Sequence, residues 1–159
     1  HFTHPNDMGM VSALGSAGGL LESINRLYVA DDRGTVSFVN DFDLAGVDRF
    51  YAIRYGRPNT PRGWLGHRRD AKWFTAVQGE VRVAVVEPDD WGSPTSDLPV
   101  NRYTLSAGTP QVLHVPAGHA TASAGLTDDA ILLVFSSGRI EDAKSDDYRF
   151  PVDIWDLTD

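Results

Sequence analysis

The residues best suited to chemistry are concentrated in one stretch of the chain, RGWLGHRRDAKWFTAVQG, from Arg62 to Gly79. His67 lies near its centre, with cations at Arg62 and Lys72 on either side. Imidazole is the side chain whose ordinary pKa suits proton removal near neutral pH. Arginine binds phosphate through paired hydrogen bonds, and lysine offers a point charge. These residue types suit proton transfer beside an anionic ligand, provided that the fold brings them together.

Length and composition limit the classes of protein to consider. A chain of 159 residues fits one domain, and its net charge of −8 argues against nucleic-acid binding, which needs clustered lysine and arginine. The absence of cysteine excludes disulfides, a thiolate metal site and a cysteine nucleophile. No apolar run approaches the roughly 20 residues of a membrane span, and no signal peptide is visible. We therefore expect a cytoplasmic protein.

Short strands separated by turns dominate the pattern after residue 25. Val81, Val83 and Val85 alternate with other residues in the two-residue period of a sheet. We predict strands at 26–30, 35–39, 50–55, 72–77, 80–86, 101–105, 111–115, 121–125 and 130–136. Such spacing is typical of a β-sandwich or barrel, and only 140–145 could form a helical turn or two.

The two ends of the chain differ in character. Residues 1–25 are rich in glycine, serine and alanine over 12–19, and we expect a flexible or extended segment there. Residues 26–159 are predicted to form a single domain. Its last part carries large apolar residues such as Phe150 and Trp155, which a disordered tail rarely has, so we expect the tail to pack on the barrel.

Four blocks of sequence resemble, in the same order, the sugar-nucleotide cupins. This family holds dTDP-4-dehydrorhamnose 3,5-epimerase and the dTDP-4-keto-6-deoxyhexose 3,4-ketoisomerases. The blocks are DDRGTVSFVNDF, VDRFYAI, RGWLGHRRDAKWFTAVQGEVRVAVVEPDDW and VLHVPAGHATA. The resemblance implies an all-β fold of the cupin type, a double-stranded β-helix or jelly-roll barrel. It also implies a homodimer.

The metal ligands of that fold are mostly replaced here. A metal-binding cupin carries His-x-His, then Glu, and a further His in its second motif. Three of these four positions hold Leu65, Lys72 and Thr121, which leaves His67. One histidine does not hold a transition metal tightly without partners. We therefore predict no metal and no cofactor.

The resemblance also implies a reaction. In the similar enzymes a histidine removes a proton from the carbon beside the sugar's ketone, and the resulting enolate oxygen needs stabilisation. Leu65 occupies the position of the epimerases' histidine, whereas His67 matches the second histidine of the ketoisomerases. The chain thus resembles a metal-independent isomerase or epimerase of a nucleotide-linked 4-keto-6-deoxy sugar, with His67 as the base. The alternative is a non-catalytic sugar or sugar-nucleotide binding protein that has lost its base.

Other side chains complete the predicted site. The resemblance places Arg62 and Lys72 near the diphosphate or the sugar, although each could equally be a surface charge. Tyr51 offers a stacking face and a proton donor, so we predict a catalytic role, and Trp64 is a second candidate for stacking on the ligand. An inward-facing Lys72 would need a carboxylate or an anionic ligand to offset its burial.

The second motif contributes two further candidates. Thr121 stands where the family has its usual histidine, and His119 precedes it by two residues; both are predicted to contact substrate, although His119 could lie on the other face. Leu65 and His67 share one face of a strand, which favours an inward His67. The carboxylate that orients His67 stays open among Asp70, Asp146, Asp147, Asp153 and Asp156.

Overall fold

Two five-stranded antiparallel sheets enclose an apolar interior in the computed structural model, which describes residues 9–12 and 28–158. Within these ranges, two short 3-10 helices, Leu44–Gly46 and Ile140–Ser145, lie between strands. The strands are β1 (Gly9–Ser12), β2 (Tyr28–Asp31), β3 (Gly34–Ser37), β4 (Arg49–Arg54), β5 (Arg62–His67), β6 (Lys72–Gln78), β7 (Glu80–Val86), β8 (Asn101–Ser106), β9 (Gln111–Val115), β10 (His119–Gly125), β11 (Ile131–Ser136) and β12 (Tyr148–Arg149).

The strand order confirms the predicted fold. The first sheet runs β1-β9-β6-β11-β4 and the second β12-β5-β10-β7-β8, so strands that are distant in sequence are neighbours in both. β2 and β3 form a separate hairpin. Nearly all of the described regular structure is strand, and two such facing sheets form the jelly-roll barrel of a cupin.

Alternation along the strands separates the inside of the barrel from the outside. Val81, Val83 and Val85 of β7 are fully buried and pack against Phe74 and Leu132 of the facing sheet. The alternate residues of β7 and β10 face outwards, and the C-terminal tail covers them in a second apolar cluster. The period of two read from the sequence therefore identifies the inward face of the sheets.

The prediction for the C-terminal end of the chain is confirmed, whereas most of the N-terminal segment lies outside the described residues. Trp155 and Leu157 are buried, which confirms that the tail packs on the barrel, and the predicted helical turn is the 3-10 helix Ile140–Ser145. Within 1–25, the strand Gly9–Ser12 pairs with β9, and the other residues of that predicted flexible segment lie outside the described residues. Across residues 9–12 and 28–158, no helix combines the length and apolar character needed to cross a membrane.

Candidate functional site

His67 is the last residue of β5 and borders a cavity of about 390 Å³ at one end of the barrel. Its imidazole is buried, with 7% of the residue exposed. On the neighbouring strand β10, His119 lies directly opposite. Leu65 pairs with Thr121, which pairs in turn with Val85 of the interior cluster. Because alternate residues of a strand share a face, Leu65, His67 and His119 all lie on the inward face of the barrel.

A carboxylate from the far end of the sequence holds the His67 ring. Nε2 of His67 lies 3.1 Å from Oδ1 of Asp147, which is 80 positions later in the chain. A carboxylate only accepts hydrogen bonds, so Nε2 carries the hydrogen and Nδ1 keeps its lone pair. This arrangement leaves Nδ1 as the nitrogen that can take up a proton, and it identifies Asp147 among the five aspartates that the sequence left open.

The surroundings of His67 favour its neutral form. Burial lowers the pKa of the imidazole below its ordinary value, and the charge of Lys72 lowers it further. The charges of Asp70 and Asp147, with the hydrogen bond that His67 donates to Asp147, act in the opposite direction but do not offset this. These surroundings therefore favour an unprotonated imidazole at neutral pH.

Lys72 begins β6 and faces the barrel interior beside His67, so of the two positions that the sequence left open it takes the inward one. It is 5% exposed, and its Nζ lies 2.8 Å from Oδ2 of Asp70 and 3.2 Å from Oγ of Ser136. The carboxylate that an inward lysine requires is therefore supplied by the protein itself, two residues earlier.

Asp70 is held by a dense set of donors. It accepts hydrogen bonds from the hydroxyls of Ser136 and Ser137 and from the amide of Gly138. A side chain at Gly138 would place its Cβ 2.8 Å from Cγ of Asp70, so only glycine allows this approach. Burial raises the pKa of Asp70, but the hydrogen bond and charge of Lys72 and the serine hydroxyls outweigh it and keep the pKa below its ordinary value.

Tyr51 lies between two cations on the inward face of the first sheet. Ser136 of β11 pairs with Arg49 of β4 on one side and with Lys72 of β6 on the other, so the three form one row. The ring of Tyr51, one step along, has Cζ of Arg49 at 5.3 Å and Nζ of Lys72 at 5.5 Å from its centroid. Its half-buried position keeps it a candidate proton donor.

The cavity beside His67 is lined by charges of both signs. The Ile140–Ser145 helix and the residues just after it form one wall, and the β5–β6 turn forms another. The cationic lining is Arg49, Arg69 and Arg139, and the acidic lining is Asp48, Asp70, Asp142, Asp146 and Asp147. Each guanidinium has five donors, so the arginines offer groups that can bind hydroxyl or phosphate oxygens.

The remaining predicted residues do not all converge on His67. Arg62 is exposed at the other end of β5, about 16 Å along the strand from His67. Nδ1 of His119 lies 3.0 Å from the carbonyl of Pro116, and Thr121 is half-buried opposite Leu65. His119 and Thr121 share the inward face, so the alternative that His119 lies on the other face is wrong.

The expected role of Trp64 in binding substrate must be corrected. Its side chain is 1% exposed and belongs to the outer cluster, where its ring packs edge to face on Trp155 at 5.2 Å. Alternation puts Trp64 on the face opposite to Leu65 and His67, so the ring has no surface to offer a ligand in the barrel.

Several residues of the site escaped the sequence analysis. Ser136 had no motif to mark it, and Arg49 belongs to the block VDRFYAI but was assigned no role in the site. Asp146 was one of the five aspartates left open as partners of His67, yet it is 5% exposed and accepts three backbone hydrogen bonds from the β5–β6 turn instead. Only the tertiary fold brings these residues to the neighbourhood of His67, and the burial of Asp146 has no local signal. Within the described residues, no group of three or more histidine, aspartate or glutamate side chains could hold a metal ion.

Comparisons with solved structures agree with the fold. The rmlC epimerase of Mycobacterium tuberculosis superposes with a TM-score of 0.61 at 20% identity, covering 77% of this chain and 64% of that one. A 3,4-ketoisomerase from Thermoanaerobacterium thermosaccharolyticum, in complex with TDP-4-keto-6-deoxyglucose, superposes with a TM-score of 0.56 at 18% identity, over 76% of this chain and 80% of that one.

A third similar structure is a 3'-monoepimerase from Streptomyces bikiniensis, in complex with dTDP-quinovose. It has a TM-score of 0.60 and 22% identity, over 76% of this chain and 64% of that one. The chain thus spans slightly less than two thirds of the length of either epimerase. No protein-family model and no curated protein matches the sequence. At these identities the likeness establishes the fold and leaves the reaction to the site.

Proposed function

We propose that this chain is a metal-independent isomerase or epimerase of a nucleotide-linked 4-keto-6-deoxy sugar. The observation that supports it most is the buried, neutral imidazole of His67, held by Asp147 at the wall of a cavity. A carbon acid beside a ketone needs a base that is unprotonated at the working pH, and the surroundings of His67 favour that form. Among the proteins of similar fold, a 3,4-ketoisomerase is in complex with TDP-4-keto-6-deoxyglucose and a 3'-monoepimerase is in complex with dTDP-quinovose.

The proposed reaction begins with proton transfer from the carbon to Nδ1 of His67. The electron pair of the broken C–H bond moves to the ketone oxygen and gives an enolate. The resulting imidazolium keeps its Nε2–H bond to Asp147, whose negative charge stabilises it. In ketoisomerisation the enolate oxygen takes up the proton of the neighbouring hydroxyl, whose oxygen becomes the new ketone, and the imidazolium gives its proton to the former carbonyl carbon. In epimerisation a proton is added to the opposite face of the original carbon, and the imidazolium loses its own to solvent. Atoms and charge balance in both cases.

Tyr51 and Lys72 are the proposed groups for the enolate oxygen. Tyr51 can donate its phenolic proton, and the charge of Lys72 lies 5.5 Å from the Tyr51 ring. Donors placed before the reaction stabilise a developing charge without reorganisation. In the protein without ligand, Asp70 already neutralises the charge of Lys72. This lysine is therefore better suited to adjusting the electrostatics around His67 and Tyr51 than to binding the diphosphate.

The diphosphate is assigned to arginine. Arg49, Arg69 and Arg139 line the cavity, and guanidinium groups bind phosphate oxygens in pairs. Arg62 stays a candidate for the far end of the nucleotide, since an extended ligand can reach along β5. His119 and Thr121 are proposed to contact the sugar, because both lie on the inward face of β10 near His67.

Exchange of substrate hydrogen with solvent tests the proposal. The protein is incubated with TDP-4-keto-6-deoxyglucose in D₂O, and deuterium beside the ketone is followed by NMR. We expect protein-dependent uptake. A non-catalytic binding protein, the alternative function, would instead give a thermal shift that grows with ligand concentration and no deuterium uptake. The absence of uptake across a panel of 4-keto sugar nucleotides would overturn the proposed reaction.

A homodimer is part of the same proposal. Phe50, Val77 and Val36 are more than half exposed, and every described residue of the β2–β3 hairpin is exposed. An isolated hairpin is marginally stable, and apolar sheet faces are usually covered, so a second copy is the proposed cover. Sedimentation of the wild type as a dimer and of Phe50→Glu as a monomer would support this; a monomeric wild type would contradict it.

A further inference from the structure

The carboxylate of Asp146 joins the C-terminal region to the turn that follows His67. Its Oδ1 accepts a hydrogen bond from the amide of Arg68 at 2.8 Å, and its Oδ2 accepts from the amides of Arg69 and Asp70 at 3.1 and 3.0 Å. Three successive amides of one turn thus bind a single buried side chain. Such charge-assisted hydrogen bonds are stronger than neutral ones.

The turn and the Asp146 carboxylate lie between Lys72 and the pair formed by His67 and Asp147. The turn connects His67, the last residue of β5, to Lys72, the first residue of β6. Asp147 directly follows Asp146 and contacts the His67 ring. The same three amides are therefore tied to the segment that carries the partner of the base. Oγ of Ser145 adds a contact of 2.8 Å to Nη2 of Arg69.

A second connection lies just beyond Asp147. Tyr148 of β12 pairs with Gly66 of β5, which fixes the backbone on the C-terminal side of Asp147. β12 has two residues, so this pairing alone gives little resistance to a shift along the strand. Asp147 therefore lies between two residues whose positions are fixed, Asp146 and Tyr148, and its movement is restricted on both sides.

We propose that Asp146 is a positioning residue, whose buried carboxylate holds the segment Ile140–Asp147 on the β5–β6 turn and so keeps Asp147 in hydrogen-bond contact with His67. Its value for catalysis rests on the proposed function, whereas the anchoring of the His67 ring does not. The role differs from simple stabilisation of the turn, because it sets which ring nitrogen of His67 carries the hydrogen.

The Asp146→Asn variant tests the inference with little change in shape. Asparagine keeps one oxygen but replaces the other with an NH₂ group, which would face the amide donors of Arg69 and Asp70. We expect the segment to loosen and His67 to change from a dominant Nε2–H tautomer to a mixture of both. Nitrogen NMR of histidine-labelled protein measures this without substrate, and the His67→Gln variant assigns the signal. The exposed Asp153 supplies a matched control, since Asp153→Asn makes the same charge change.

The outcomes separate the alternatives. A mixed tautomer in folded Asp146→Asn, with the wild-type tautomer in Asp153→Asn, supports the positioning role. An unchanged Nε2–H tautomer in folded Asp146→Asn overturns it and shows that the pairing of β12 with β5 is enough to hold Asp147.

If Asp146→Asn does not fold, Ser145→Ala is measured instead, because it loosens the same segment. This variant must show a smaller change of tautomer in the same direction, and an unchanged tautomer overturns the role. If the proposed function also holds, kcat of Asp146→Asn falls while KM changes little; failure of exchange in the wild type would refute that function and leave the tautomer result standing.

Discussion

His67 and Asp147 meet across the end of the barrel, with Nε2 and Oδ1 3.1 Å apart. His67 is buried and Asp147 is partly exposed, its side chain 31% accessible. The carboxylate therefore stays near solvent while it holds an imidazole that is removed from solvent. In the proposed proton transfer, this contact leaves Nδ1 as the nitrogen that takes up the proton.

The first prediction concerns this pair. In Asp147→Asn the negative charge that raises the pKa of His67 is lost and any remaining hydrogen bond is to a neutral amide, so the pKa should fall further below its ordinary value. The exchange rate should drop as well, up to the roughly 10²–10⁴-fold that general base catalysis contributes, because the ring is no longer held in one tautomer. NMR titration of His67 and the rate of deuterium uptake measure the two effects. An unchanged pKa together with an unchanged rate would show that Asp147 has no part in the site.

The second prediction concerns the buried ion pair. Asp70→Asn leaves the ammonium of Lys72 buried without its carboxylate, which should lower the free energy of unfolding by about 3–5 kcal/mol. The double variant Asp70→Asn, Lys72→Met removes both charges and should recover part of that loss. Urea unfolding measures each variant. The exposed Asp128→Asn is the control and should change stability by less than about 0.5 kcal/mol; an equally small effect of Asp70→Asn would refute the pairing.

The third prediction concerns pH. The pKa of His67 is lowered in the folded protein, so below its ordinary value of 6.5 the unfolded chain binds a proton that the folded chain resists. The stabilisation from a neutral His67 is therefore present above pH 6.5 and is lost as the pH falls toward the folded pKa. In His67→Gln this contribution disappears, so the variant should lose less stability than the wild type between about pH 7 and pH 5. Identical pH profiles of unfolding free energy would contradict it.

Local pattern was enough to predict the barrel and much less of the site. Alternation in β7 and the apolar tail led directly to strands that the structure contains and to the docking of Trp155. The same alternation, applied to Trp64, would have placed it on the outer face, away from His67. Trp64 is close to His67 in sequence, but in a strand the side chains of successive residues point to opposite faces.

The carboxylate partners of Lys72 and His67 differ in how far the sequence could predict them. Asp70 lies close to Lys72 in sequence, and the need of a buried lysine for a carboxylate made such a partner predictable. Asp147 contacts His67 only because the chain, after contributing strands to both sheets, returns to pair with β5 through β12. Nothing local separates it from the other aspartates of the C-terminal region, so its role required the tertiary structure.

The most direct measurement is the rate of deuterium uptake beside the ketone of TDP-4-keto-6-deoxyglucose in wild type and in His67→Gln, with folding checked by circular dichroism. Glutamine cannot take up a proton, so we expect uptake by the wild type and a loss of about 10²–10⁴-fold or more in the variant. Wild-type uptake that persists at the same rate in a folded His67→Gln protein would contradict the central claim that His67 is the base.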